Sequence, residues 1–157
     1  MKCFNKVLTA LAITLMIICA GNVTFAASTN SMNAEAVELL NQLRQSKGLQ
    51  PLSWNPNSKL QAAAQLRAQE ISEVFSHTRP DGSSCFTVLK QYGLNYGYCG
   101  ENIAMGTNLS PEGAMDLWTN SSGHYKNMVN PNYREVGLAC YVYGNDIYWV
   151  QLFMTRR

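Results

Sequence analysis

The chain has 157 residues, with 12 Lys plus Arg against 10 Asp plus Glu, five cysteines and two histidines. That length suits a single domain whose core is large enough to fold without many cross-links. The basic excess is slight and forms no stripe, which argues against a nucleic-acid-binding protein.

The first residues read as an address. Lys2 and Lys6 precede an apolar stretch from Val7 to Ala20, and the small residues Thr24 and Ala26 stand two apart. This order predicts a secretory signal peptide over residues 1–26, cut after Ala26, and a domain over residues 27–157. The apolar run is shorter than the roughly 20 residues of a membrane span, and no second run predicts a span in the mature chain. Cys19 follows Met16, Ile17 and Ile18 rather than a small residue, which speaks against a lipidated cysteine. Loss of Lys2 and Lys6 leaves 10 basic against 10 acidic residues, so the mature domain is near neutral. Cys85, Cys99 and Cys140 remain in an oxidising environment that permits disulfides. Three thiols allow one bridge and one free thiol. Cys85 with Cys99 is favoured, because it closes a short loop at a gain on the order of 3 kcal/mol. Pairings that use Cys140 stay open, although Cys140 lies in an apolar strand pattern that suits a buried thiol.

In chain order, Ala36, Val37, Leu40 and Leu43 recur at helical spacing, with Asn33 as the expected cap and Gly48 as the stop. A short extended link, Pro51-Leu52-Ser53-Trp54, leads to a second helix. Asn55 is its expected cap, with Pro56 in the first turn and Leu60, Ala63, Ala64, Leu66, Ala68 and Ile71 as its apolar positions. Pro80-Asp81-Gly82 marks a turn, and Ser83 or Ser84 is expected to cap a short helix through Leu89 and Tyr92, closed by Gly93. Leu94 to Ala104 reads as loop and strand. Ser110-Pro111-Glu112 opens another helix by cap, proline and first-turn acid. A further short helix starts at Ser122-Gly123-His124 and ends near Asn130-Pro131. Val136–Tyr143 and Ile147–Met154 are β-rich and flank Gly144-Asn145-Asp146, which predicts a hairpin. The whole predicts an α+β domain with helices covering a small antiparallel sheet.

Four segments resemble one family in order and spacing. They are Ser76-His77-Thr78-Arg79-Pro80-Asp81-Gly82; Gly100-Glu101-Asn102-Ile103-Ala104; Trp118 through Gly123-His124-Tyr125-Lys126-Asn127-Met128; and the closing strands Tyr133-Arg134-Glu135-Val136-Gly137 and Tyr148-Trp149-Val150-Gln151-Leu152-Phe153. Together they resemble the CAP superfamily (cysteine-rich secretory proteins, antigen 5, pathogenesis-related 1; the SCP-like extracellular domain) in its bacterial branch. The resemblance implies an α–β–α sandwich with a shallow cleft. It also implies that His77, Glu101 and His124 line that cleft. A fourth cleft position, a glutamate in the family, is Ser121 here.

Three roles follow for those residues. Two imidazoles and a carboxylate form a plausible set for zinc or another divalent metal with an open position, so His77, Glu101 and His124 are metal candidates. A second role is acid–base catalysis, such as a weak metal-dependent hydrolase, although no Gly-x-Ser-x-Gly elbow occurs and Cys99 sits two residues from Glu101, which disfavours its thiolate. The third and favoured role is a satisfied polar cluster in which Glu101 accepts from both imidazoles, and Glu101 and Asn102 bind nearby backbone N–H groups. Arg79 is expected to pair locally with Asp81, and the three tryptophans to be core. The reading is a secreted binding module whose ligand is a lipid, a wall component or another protein.

Overall fold

A computed structural model describes residues 29–157 of the chain; the expected signal peptide lies outside the described residues. Its elements are α1 (residues 29–46), α2 (Lys59–Glu73), α3 (Thr87–Gln91), β1 (Tyr96–Thr107), α4 (Pro111–Thr119), α5 (Ser122–Met128), β2 (Glu135–Tyr143) and β3 (Asp146–Arg156). Among them, no helix is long and apolar enough to cross a membrane.

The three strands form one antiparallel sheet in the order β1-β3-β2. The β2–β3 hairpin turns at Gly144-Asn145, with Tyr143 opposite Asp146 and Gly144 at φ 61°. Only a residue tolerant of positive φ fits that tight turn. Side-chain alternation then splits the sheet into two faces. Ala104, Val136, Leu138, Cys140, Trp149 and Phe153 pack with Leu40, Trp118 and Met128 on one face. Ile103, Ala139, Val150, Leu152 and Met154 pack with Leu60, Ala64, Ile71 and Leu89 on the other. The result is the expected α–β–α sandwich, with α2 and α3 on one side and α1, α4 and α5 on the other. The alanines of α2 allow close approach. A Cβ added at Gly137 would overlap the Leu60 carbonyl oxygen.

Several local expectations hold. Ser110 caps α4, its Oγ accepting from Gly113 N at 3.2 Å. Gly48 ends α1 at φ 71°, where Leu49 N donates to the Arg44 carbonyl at 3.0 Å. Trp118 and Trp149 are fully buried, while Trp54 is half-buried and donates from Nε1 to Gln61 Oε1 at 2.8 Å.

Three caps fall elsewhere than expected. Asn33 lies inside α1, buried, because its Oδ1 accepts from Cys140 N on the open edge of β2 at 2.9 Å. Asn55 shapes the turn before α2, and Ser58 caps the helix by accepting from Gln61 N at 3.0 Å. Helix α3 starts at Thr87 without a side-chain cap; the Ser84 carbonyl accepts from Thr87 N at 2.9 Å.

Candidate functional site

Strand β1 lies at an edge of the sheet, and its motif residues Glu101 and Asn102 face opposite layers. Glu101 points toward α2. Its side chain is 1% exposed. A buried carboxylate needs compensating charge, and α2 provides it in Arg67, itself fully buried. Arg67 Nε donates to Glu101 Oε2 at 2.8 Å and Nη2 to Oε1 at 3.3 Å. Arg67 also donates to Glu70 Oε2 at 2.6 Å and to the Ser76 carbonyl at 2.9 Å. Burial works against the Arg67 charge, but the carboxylates of Glu101 and Glu70 outweigh it and hold its pKa above the ordinary value. Glu70 in turn accepts two-pronged bonds from Arg79 at 2.6–3.1 Å. Arg79 therefore pairs with Glu70, not principally with Asp81 as expected. The helix carboxylate matches the guanidinium fork and is partly withdrawn from water, whereas Asp81 accepts from its neighbour Ser83 N at 2.9 Å.

His77 follows α2 directly. Its Nδ1 lies 2.8 Å from Glu101 Oε1, while more than half of its side chain is exposed. Glu101 therefore holds His77 as expected, but its other partner is Arg67 rather than His124. The signal for Arg67 was present in the sequence. It sits among Ala63, Ala64, Ala68 and Ile71 on the apolar side of α2, and a charge on such a stripe requires a buried partner.

Asn102 points the other way. It is fully buried and its Nδ2 donates to Gln151 Oε1 at 2.9 Å and to the His124 carbonyl at 3.0 Å. Its Oδ1 accepts from Asn127 Nδ2 at 2.8 Å. Asn102 thus donates to a carbonyl where sequence reasoning expected it to accept from backbone N–H groups. The carbonyls along the free edge of β1 are sealed by side chains: Tyr133 Oη donates to Cys99 O at 3.0 Å, Asn127 Nδ2 to Glu101 O at 3.3 Å, and Trp118 Nε1 to Ile103 O at 3.1 Å. These bonds bring α5, and with it His124, beside the strand that carries Glu101. A Cβ added at Gly100 would overlap the Tyr133 hydroxyl, so this close approach requires glycine.

His124 sits in the first turn of α5, half-buried. Its Nδ1 is shielded from solvent and has no hydrogen-bond partner. Burial, and secondarily the nearby charge of His77, push its pKa below the ordinary imidazole value. His124 is therefore a neutral ring at neutral pH. Ser121 is the N-terminal flanking residue of α5, and its carbonyl accepts from Tyr125 N at 2.8 Å.

All three described cysteines are free thiols, so the expected Cys85–Cys99 bridge is not formed in this structure. Cys85 is buried instead beside Glu101. Burial, with the Glu101 carboxylate adding to it, pushes its pKa up to about 12. Cys99 is also raised by burial, and Tyr96 bonds to its thiol. Cys140 is fully buried, as its strand pattern predicts, and its pKa is pushed up to about 12 by burial. Among the described residues, the ligand-type atoms that converge within 4.8 Å of one another belong to His77, Cys85 and Glu101. This group shares His77 and Glu101 with the expected metal set and has Cys85 as its third member.

Residues 37–153 match the family described as the Cysteine-rich secretory protein family, CAP. YkwD of Bacillus subtilis (strain 168), described as an uncharacterized protein, is 36% identical over 129 residues, which are 82% of this chain and 49% of YkwD. The crystal structure of an extracellular protein containing an SCP domain, from Bacillus anthracis str. Ames, superposes with a TM-score of 0.72 at 25% identity over 82% of this chain and 41% of that one. A cysteine-rich secretory protein from Staphylococcus aureus subsp. aureus Mu50 gives a TM-score of 0.62 at 24% identity over 80% of this chain and 39% of that one. The chain spans less than half the length of each of these relatives. With the motifs in place on the sandwich and the matched region covering most of the described residues, the chain belongs to the cysteine-rich secretory protein (CAP) family, among bacterial relatives.

Proposed function

We propose that this protein is a secreted binding module that acts outside the cell through the surface around His77 and His124, on a lipid, a wall component or another protein. The observation that carries this reading is the engagement of Glu101. Both of its oxygens are already held by Arg67 and His77 at 2.8–3.3 Å. A carboxylate whose two oxygens are both occupied by fixed partners has none free to take a proton from a substrate. Nor do the thiols supply a nucleophile: Cys85 is buried and its pKa is pushed up to about 12, the opposite of an activated cysteine. The exposed imidazole of His77 and the half-buried ring of His124 are the groups left to contact a ligand. The signal-peptide-like sequence pattern of residues 1–26 and the extracellular description of the Bacillus anthracis relative support action outside the cell.

The test is a comparison of retention and turnover. Wild-type protein and the His77→Ala, His124→Ala double variant are co-sedimented with isolated bacterial cell walls and with phosphatidylglycerol vesicles, and both are assayed on peptide and ester substrates. The expected outcome is retention of the wild type that falls in the double variant, with no turnover above buffer. Turnover that disappears in Glu101→Gln would overturn the reading in favour of an enzyme.

A further inference from the structure

We propose that the cavity between the end of α3, the start of β1 and the end of β3 is a binding site for a phosphate monoester. The cavity has a volume of about 450 Å³ and is lined by Lys90, Leu94, Asn95, Tyr96 and Arg157. Its walls are bonded to one another. Gly93 closes α3 at φ 68°, its N donating to the Lys90 carbonyl at 2.9 Å, and Leu94 N donates to the Leu89 carbonyl at 2.9 Å. This turn sends Leu94 into the core and leaves Asn95 exposed. Arg157 N donates to the Asn95 carbonyl at 3.4 Å, and Tyr96 lies opposite Arg156 in the sheet. The Tyr96 ring rests in turn against Phe86, with centroids 6.4 Å apart. The contacts that shape the cavity are therefore made without a ligand, which spares the ligand the cost of ordering them.

The positive charge of this cavity is uncompensated. Among the described residues, the guanidinium groups of Arg44, Arg67, Arg79, Arg134 and Arg156 bond to carbonyls or carboxylates of the protein, and that of Arg157 does not. Lys90 likewise takes no part in the ion pairs of the described residues. No acidic side chain lines the cavity. A third cation stands beside it, since a Cβ added at Gly93 would lie 3.9 Å from Lys59 Nζ. A concave surface lined by one sign of charge focuses its field on the opposite sign. The two lining cations select the ligand. A phosphate monoester carries a charge of about −1.5 to −2 at neutral pH, which matches the pair, whereas a carboxylate carries only one. The planar fork of Arg157 suits two phosphate oxygens, Lys90 adds a point charge, and the Asn95 amide adds a neutral donor. The cavity is larger than a phosphate group, and Leu94 with the Tyr96 ring gives an apolar wall to the body that carries it. The site shares no residue with the surface around His77 and His124, so either reading can fail without the other.

Glycerol 3-phosphate is the probe. Isothermal titration of the purified protein at low ionic strength is expected to show binding at one equivalent, with sodium acetate giving no comparable heat. Lys90→Gln and Arg157→Gln should each weaken binding by about tenfold, because each removes a bond between charged groups. The double variant should abolish it. Lys47→Gln and Lys126→Gln remove exposed lysines outside the cavity and should bind like the wild type, as should the His77→Ala, His124→Ala double variant. Circular dichroism verifies that each variant is folded. Competition separates two sources of the same chemistry. Phosphatidic acid vesicles that displace the probe, where phosphatidylcholine vesicles do not, assign the phosphate to a lipid headgroup; phosphatidic acid vesicles that leave it in place assign the phosphate to a soluble ester. Absence of heat at millimolar glycerol 3-phosphate, acetate that binds as tightly, or an equal loss in Lys47→Gln and Lys126→Gln would each overturn the proposal.

Discussion

Glu101 and Asn102 are adjacent in β1, yet they anchor two polar clusters of opposite character on the two faces of one sheet. Toward α2 the cluster is ionic and runs Arg79–Glu70–Arg67–Glu101–His77, with contacts of 2.6–3.3 Å. Toward α5 it is made of neutral amides, with Gln151, Asn102 and Asn127 in series at 2.8–2.9 Å. Both are buried and both tie a helix or loop to the edge strand. They differ in what a missing member leaves behind. An ionic cluster that loses one partner strands a charge, whereas an amide cluster that loses one strands only dipoles.

That difference ranks the first two predictions. Arg67→Ala removes the counter-charge of a fully buried carboxylate, and urea denaturation should show a loss of about 3–5 kcal/mol. The Arg67→Met, Glu101→Leu double variant should recover most of that loss, because an apolar pair of similar volume has no charge to desolvate. If the double variant is as unstable as the single one, the cluster acts through something other than its charges. Asn102→Ala leaves Gln151, Asn127 and the His124 carbonyl without their shared partner and should cost about 1–3 kcal/mol. A larger loss for Asn102→Ala than for Arg67→Ala would reverse the comparison.

How much of this was legible in the sequence follows the range of the interactions. The hairpin at Gly144-Asn145 and the cap at Ser110 are local devices, and local spacing announced them. The motif residues His77 and Glu101 lie 2.8 Å apart, and the helix that carries His124 is bonded to the strand of Glu101 through Asn102 and Asn127. Asn55-Pro56 satisfies the rules of helix starts, yet Ser58 is the cap of α2 and Asn55 shapes the turn before it. Asn33 was misassigned as a cap because its partner, Cys140 N, lies 107 residues away. Likewise, Arg79 was matched to the nearest acid, Asp81, although Glu70 on the preceding helix offers the better fork. Cys85 carried no signal of its own, because its approach to Glu101 arises only when the segment bridged at Thr78 and Ser84 folds back on β1.

Acid should separate the two clusters by window. In Glu70 burial raises the pKa, but the bonds from Arg79 and Arg67 outweigh it and hold the carboxyl below its ordinary value. A depressed carboxylate contributes stability above its unfolded pKa and loses it as pH falls through the folded one. His124 is also depressed below the ordinary imidazole value, by burial first and by His77 second. Here the native state prefers the neutral ring, so the unfolded chain takes up a proton first and stability declines as pH falls below that value. Urea midpoints measured from pH 7.5 to 3 should therefore fall in two stages. His124→Gln should flatten the upper stage and Glu70→Gln the lower. A single stage that neither substitution alters would mean that neither group drives the acid response.

The smallest effect belongs to the acid outside both clusters. Glu135 lies near the closing strands' motif and, by sequence distance alone, invites a role as an extra cleft carboxylate. Its carboxylate instead takes a two-pronged bond from Arg156 at 2.7 and 3.0 Å, with the arginine side chain 60% exposed. Such a pair sits in water, is screened by salt and costs side-chain entropy to hold, so it contributes on the order of 0–1 kcal/mol. Glu135→Gln should therefore shift the urea midpoint least of all the substitutions named. A loss as large as that of Asn102→Ala would show that the pair holds β2 to β3 more firmly than its exposure allows.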